Sequence, residues 1–149
     1  FTMMEIYVAY KDYNWMMDFT ESMLEYICME VHGTTDVMIG ENKVSFKAPF
    51  PRVPMIQAIL DHTGIDIADM DEQGLRKVCD ELGVPHEASM GKGKLIDEIF
   101  GEKCEGSYIQ PTFMLASPHH HLRNLLRVHR IYRQVQKGVL PLSVILQQC

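Results

Sequence analysis

Two side chains near the start of the chain, Glu5 and Tyr7 in "FTMMEIYVAY", are spaced to do chemistry together. In an extended strand, residues two apart point to the same face. A carboxylate and a phenol would then lie side by side on a strand otherwise built from hydrophobes, with Thr2, Met4, Ile6 and Val8 on the other face. A carboxylate among apolar groups is costly unless a cation pairs with it. Two readings follow. Glu5 belongs to an edge strand and reaches solvent, which is what elementary physics favours, or the pair lines a pocket for a ligand carrying an ammonium group.

Three other groupings invite chemistry and do not sustain it. In "SMGKGKLID", glycines and lysines precede a helical pattern, but Ala88 and Leu95 stand where a phosphate-cradling loop needs Gly and Ser or Thr. His119, His120 and His121 are adjacent, whereas structural metal sites space their ligands and recruit four of them; no metal ligands are assigned. Asp18, Glu21 and Glu25 recur along the first helical segment and read as its solvated face rather than as paired catalytic carboxylates. The four cysteines form no C-x-x-C pair, which suits free thiols in a reducing cytoplasm.

The elements that must position these groups follow from periodicity. "DYNWMMDFTESMLEYICMEVHG" reads as a helix whose apolar stripe is Met16, Phe19, Met23, Ile27 and Val31, stopped at Gly33. Val37 and Ile39, then Val44 and Phe46, read as the arms of a hairpin about Gly40-Glu41-Asn42. "APFPRVP" is too rich in proline to extend a ladder. Three short helices follow, the first from Pro54 to near Gly64. Asp71 caps the second, which carries Leu75, Val78, Cys79 and Leu82. The third holds Leu95, Ile96, Ile99 and Phe100, and "CEGSYIQPTF" then returns to the sheet. The order implies an α+β fold with an antiparallel sheet.

With 149 residues, 46% hydrophobic and 23% charged, the chain suits one globular domain. No apolar run approaches the roughly 18 residues of a membrane span. The net charge of −6 conceals a seam, because residues 1–113 hold all 20 acidic side chains. Residues 114–149 hold none, with Arg123, Arg127, Arg130, Arg133 and Lys137 as their charges. On a helical wheel Leu122, Leu125, Leu126, Tyr132 and Val135 oppose Arg123, Arg127, Arg130 and Lys137, as in a basic amphipathic helix. An acid-free stretch joined to an acid-rich body is better suited to a frameshifted, artefactual or fused tail, and that is the expectation.

"FTMMEIYVAYKDYNWMMDFTE" resembles the second half of motif 2 in the class II lysyl-tRNA synthetases. The resemblance continues through "IGENKVSFKAPF", "GKGKLIDEIF" and "IQPTF" and covers residues 1–113. It implies part of the antiparallel catalytic sheet of that family, with a helical insertion at about residues 53–104. It gives Phe1 the stacking of the adenine of ATP, and Glu5 and Tyr7 the recognition of the amino groups of lysine. The reaction it implies is activation of lysine by ATP with Mg2+, then transfer to tRNA(Lys), in a cytoplasmic homodimer. The opening arginine and acid of motif 2, the dimer motif and motif 3 are expected outside this sequence. No catalytic residue is therefore assigned, and a piece inactive by itself is expected. The other reading is a remnant core that binds RNA through its basic tail.

Overall fold

The computed structural model describes residues 6–115, 126–128 and 145–146. Helix α1 spans Tyr13–His32. The Asp12 carboxylate accepts from Trp15 N at 3.0 Å, and Asn14 donates to its second oxygen. Those donors hold the Asp12 carboxyl below its ordinary range. Gly33 ends the helix at φ +70°, its N–H donating to Met29 O at 2.8 Å, a backbone shape that only glycine adopts cheaply.

Strands β1 (Asp36–Ile39) and β2 (Asn42–Ser45) form the expected hairpin, with Val37 opposite Val44 and Ile39 opposite Asn42. The loop is two residues, Gly40 and Glu41, because Asn42 already belongs to β2. Gly40 at φ +62° supplies the positive torsion that a two-residue hairpin needs. Lys43 pairs with Asp36 at 2.8 Å, and Ser45 Oγ donates to the same carboxylate at 2.6 Å. Together they hold the Asp36 carboxyl below its ordinary range. Gln110 Nε2 donates to Lys43 O and its Oε1 accepts from Ser45 N, both at 2.9 Å, so one side-chain amide serves the outer edge of β2.

The second sheet has the order β3-β4-β5-β6: Arg52–Pro54, Phe113–Leu115, Leu126–Val128 and Ile145–Leu146. β3 and β4 run parallel and the other pairs antiparallel, so this sheet is mixed where an antiparallel one was expected. The proline-rich segment does enter it. Proline lacks a donor but keeps its acceptor, and Phe113 N donates to Pro51 O at 2.8 Å.

Between β3 and β4 lie α2 (Met55–Thr63), α3 (Glu72–Leu82), α4 (Lys92–Lys103) and a 3-10 turn at Glu105–Ser107. Pro54 is the N-cap of α2 rather than its first turn. Asp71 caps α3 as expected, accepting from Gly74 N at 2.8 Å. The helices enclose Ala58, Ile59, Ile67, Leu75, Cys79, Leu95, Ile99, Cys104 and Met114, all without exposed surface. Each large member of that core contributes about 1.5–3 kcal/mol by leaving water. A smaller core joins Met17 and Leu24 of α1 to Phe50 and Phe113.

Three readings change here. α1 buries Met17, Thr20, Glu21, Leu24 and Cys28, a face rotated from the stripe read by periodicity, while Ile27 and Val31 stay exposed. Ile6, Tyr7 and Val8 lie outside the described strands, and Ala9 and Tyr10 form a turn with Tyr10 at φ +60°. The alternation of apolar and mixed residues is therefore not expressed as a ladder over that segment. In the tail, Leu126–Val128 form β5, which pairs with β4 through Phe113 opposite Val128, so the helical-wheel reading does not hold at those residues.

Candidate functional site

Of the three side chains assigned a ligand, Phe1 and Glu5 lie outside the described residues, as do His119, His120 and His121. Tyr7 is described and is 78% exposed, two residues before the turn that leads into Asp12 and α1. The phenol thus stands at the surface, on the segment that α1 and its Asp12 cap tie to the body.

Alternation and periodicity missed the polar cluster beside that helix. Glu21 is 6% exposed. Its Oε2 accepts from Phe50 N at 2.9 Å, and its Oε1 lies 3.4 Å from Arg52 Nη2. The Asp18 carboxylate receives the same guanidinium in a short contact. One and two turns along, Glu25 Oε2 accepts from Ala48 N at 3.2 Å. Glu21 and Glu25 are not a solvated face: they hold the segment 48–50 against α1, while Asp18, itself exposed, meets Arg52 from the surface. A buried carboxylate is tolerable there because donors surround it. Arg52 also lies over the Phe113 ring, 5.9 Å from its centroid, so one residue links α1, β3 and β4. The legible signal was an arginine in a proline-rich segment downstream of three spaced acids.

The "SMGKGKLID" segment is braced by two side chains of α3. α4 has no side-chain cap of its own at Gly91, and Glu72 of α3 accepts from Lys92 N at 3.2 Å instead. Arg76 donates to the carbonyls of Glu87, Ala88 and Met90, at 2.7, 3.0 and 2.5 Å, and so fixes the loop before the helix. Lys94 pairs with Glu98 at 2.6 Å. The bonds from Arg76 and to Glu72 give these residues a structural part in joining α3 to the start of α4.

Two further polar groupings are structural. His62 Nδ1 is 2.8 Å from Ala58 O and its Nε2 is 2.7 Å from Ser107 Oγ, joining α2 to the 3-10 turn. Cys28, Cys79 and Cys104 are free and buried. Burial raises all three thiols, Cys104 to about 11, so none has thiolate character at neutral pH. Among the described residues no three His, Cys, Asp or Glu side chains are grouped to hold a metal ion. No helix among them is long and apolar enough to cross a membrane.

Comparison with known proteins connects these pieces. The chain matches the family described as tRNA synthetases class II (D, K and N) over residues 1–135. The match runs past Phe113, where the motifs read from the sequence end. A lysine–tRNA ligase of Porphyromonas gingivalis is 70% identical over 118 residues, 79% of this chain and 20% of that protein. One from Azobacteroides pseudotrichonymphae is 52% identical over 130 residues, 87% of this chain and 26% of that protein. One from Christiangramia forsetii is 56% identical over 118 residues, 79% of this chain and 21% of that protein. The chain thus spans about a fifth to a quarter of the length of the curated relatives it matches. With helices packed on small sheets and a family match covering most of its length, this chain belongs to the class II tRNA synthetases of the D, K and N group.

Proposed function

We propose that this chain is part of the catalytic domain of a lysine–tRNA ligase. The observation that carries the reading is 70% identity across 118 residues to a protein of that name. The parent activity is activation of lysine by ATP, followed by transfer of the lysyl group to tRNA(Lys), in the cytoplasm.

Within that reading Glu5 and Tyr7 recognise the amino groups of lysine and Phe1 stacks on the adenine of ATP. An ionised carboxylate is the natural partner of an ammonium, through a short charge-assisted hydrogen bond. It also gives selectivity, because an uncharged side chain in its place would leave the carboxylate desolvated and unpaired. Mg2+, when bound, neutralises charge on the polyphosphate. No described residue of this chain is assigned to hold it, and no step is derived through it. The helices between Arg52 and Phe113 are the insertion carried by the sheet. The RNA-binding alternative rests on the composition of residues 114–149 alone, and no observation on the described residues favours it.

The direct test is a chimera in which this chain replaces the segment it matches in the Porphyromonas gingivalis ligase. Lysine-dependent ATP–pyrophosphate exchange is expected, and Glu5→Gln should raise the KM for lysine far more than that for ATP. A folded chimera that is inactive with lysine, or that prefers aspartate or asparagine, would refute the reading. The chain by itself is expected to show no lysine-dependent exchange; robust exchange from pure material would overturn that part.

A further inference from the structure

His62 stands in a chain of hydrogen bonds whose hydrogens do not add up for a neutral ring. Its Nδ1 is 2.8 Å from Ala58 O and its Nε2 is 2.7 Å from Ser107 Oγ, while Ser107 Oγ donates to Cys104 O at 2.6 Å. Both ends of this chain are carbonyl oxygens, which only accept. Each of its three contacts therefore needs a hydrogen from the imidazole or from the hydroxyl. A neutral imidazole brings one N–H and a serine one O–H, so one contact goes without. Whichever tautomer is drawn, two lone pairs then face each other at 2.8 Å or less. An imidazolium donates from both nitrogens and supplies the missing hydrogen.

We propose that His62 and Ser107 form a proton-operated joint between α2 and the 3-10 turn, complete when the ring is an imidazolium and one hydrogen bond short when it is neutral. The joint belongs to the helical insertion and stands apart from the ligase reading. Its surroundings suit a cation. His62 lies in the last turn of α2, where unpaired helix carbonyls leave partial negative charge. The titratable and charged groups on the elements around it are Asp61 of α2, Glu102, Lys103 and Cys104 at the end of α4, Glu105 of the 3-10 turn, and Tyr108. The Tyr108 ring packs 5.6 Å from that of His62. Burial pushes up the Cys104 thiol and, with Cys104 and Asp61 adding to it, the Tyr108 phenol, so both are neutral where imidazoles titrate. That leaves three carboxylates against one ammonium. His62 and Ser107 are both exposed, so solvent supplies and removes the proton directly. The turn leads on to Gln110, which serves the edge of β2, and to Phe113 of β4.

The closed joint holds the proton, so closure is favoured at low pH and lost as pH rises through the histidine range. The test is amide hydrogen exchange in the full chain, corrected for the intrinsic effect of pH. Ser107 N donates to Cys104 O at 3.1 Å and Tyr108 N to Glu105 O at 3.3 Å, so these two amides report on the turn. Their protection, taken relative to amides of α3, should be about threefold or more greater at about pH 5.5 than at about pH 7.5, as expected for one hydrogen bond made or lost. The ring resonances of His62 should titrate with the same midpoint. His62→Gln removes the titrating group and Ser107→Ala the hydroxyl; both positions are exposed, and in each variant the relative protection should no longer depend on pH. Relative protection that is equal at the two pH values, or greater at the higher one, would overturn the proposal. So would a pH response that persists in either variant, since the proton or the hydroxyl would then play no part.

Discussion

Removing the Glu21 carboxylate tests the cluster that fixes α1. Its side chain is 7% exposed and accepts from Phe50 N at 2.9 Å, so Glu21→Ala strands a buried backbone donor. A hydrogen bond to a charged group contributes about 1.5–3 kcal/mol, and each buried methylene lost adds about 0.8 kcal/mol. The Arg52 contact adds little, because Arg52 is one-third exposed and keeps Asp18 as a partner. The expected cost is about 3 kcal/mol or slightly more, a large share of the total stability of a small domain. Glu21→Gln keeps the methylenes and one acceptor for Phe50 N and should cost about 1 kcal/mol. Asp18→Ala, at a side chain 65% exposed, should cost under about 1 kcal/mol. Equilibrium urea denaturation followed by fluorescence of Trp15, the single tryptophan, reports directly on α1. If Glu21→Ala costs no more than Asp18→Ala, the carboxylate does not anchor the segment 48–52 and the account of α1 is wrong.

Asp71→Ala should destabilise the chain by about 1 kcal/mol, with amide exchange accelerated in the first turn of α3 before any other part of that helix. Leu95→Ala, at a site with no exposed surface, should cost about 2–5 kcal/mol in urea melts. Arg76→Ala frees three carbonyls at once, so limited proteolysis should move to the segment 87–91 while the rest of the helical cluster stays resistant. The Cys104 thiol is raised by burial from an ordinary value of 9.0 to about 11. A group raised on folding contributes stability that is complete below its unfolded value and is lost as pH climbs towards the folded one. Urea midpoints should therefore fall between pH 9 and 11, and Cys104→Ala should flatten part of that slope.

Local signals carried much of the fold. Asp71, Gly33 and Gly40 each act through a few neighbouring atoms, so the cap, the stop and the turn were readable from the residues alone. The segment around Arg52 was not, because proline count speaks to missing donors and says nothing about acceptors. β3 forms through the Pro51 carbonyl and a partner sixty residues away, Phe113, which no local pattern reveals. For the candidate site the division is similar. Spacing could place Glu5 beside Tyr7 on a strand, yet the described residues 6–10 run as an irregular segment and a turn. Whether a pair two residues apart shares a face depends on the backbone between them, and backbone shape near a chain's first residues is set by long-range partners. The lysine and adenine roles came from resemblance to a family and not from the residue types, and physics alone favours solvent for Glu5.

The misreading of α1 has a physical cause. The helix has more apolar residues than one face can hold, and two stripes satisfy the helical period about equally well. Hydrophobicity does not choose between them; the acids do. Turning the helix to bury Met23, Ile27 and Val31 would take Glu21 away from Phe50 N and Arg52, leaving a carboxylate and a donor to be desolvated without each other. It would also lift Met17, Leu24 and Cys28 into water. The rotation that keeps Glu21 satisfied is the one observed, and it leaves the other stripe facing outward. A charged residue normally taken as the mark of a surface is here what decides which surface the helix hides.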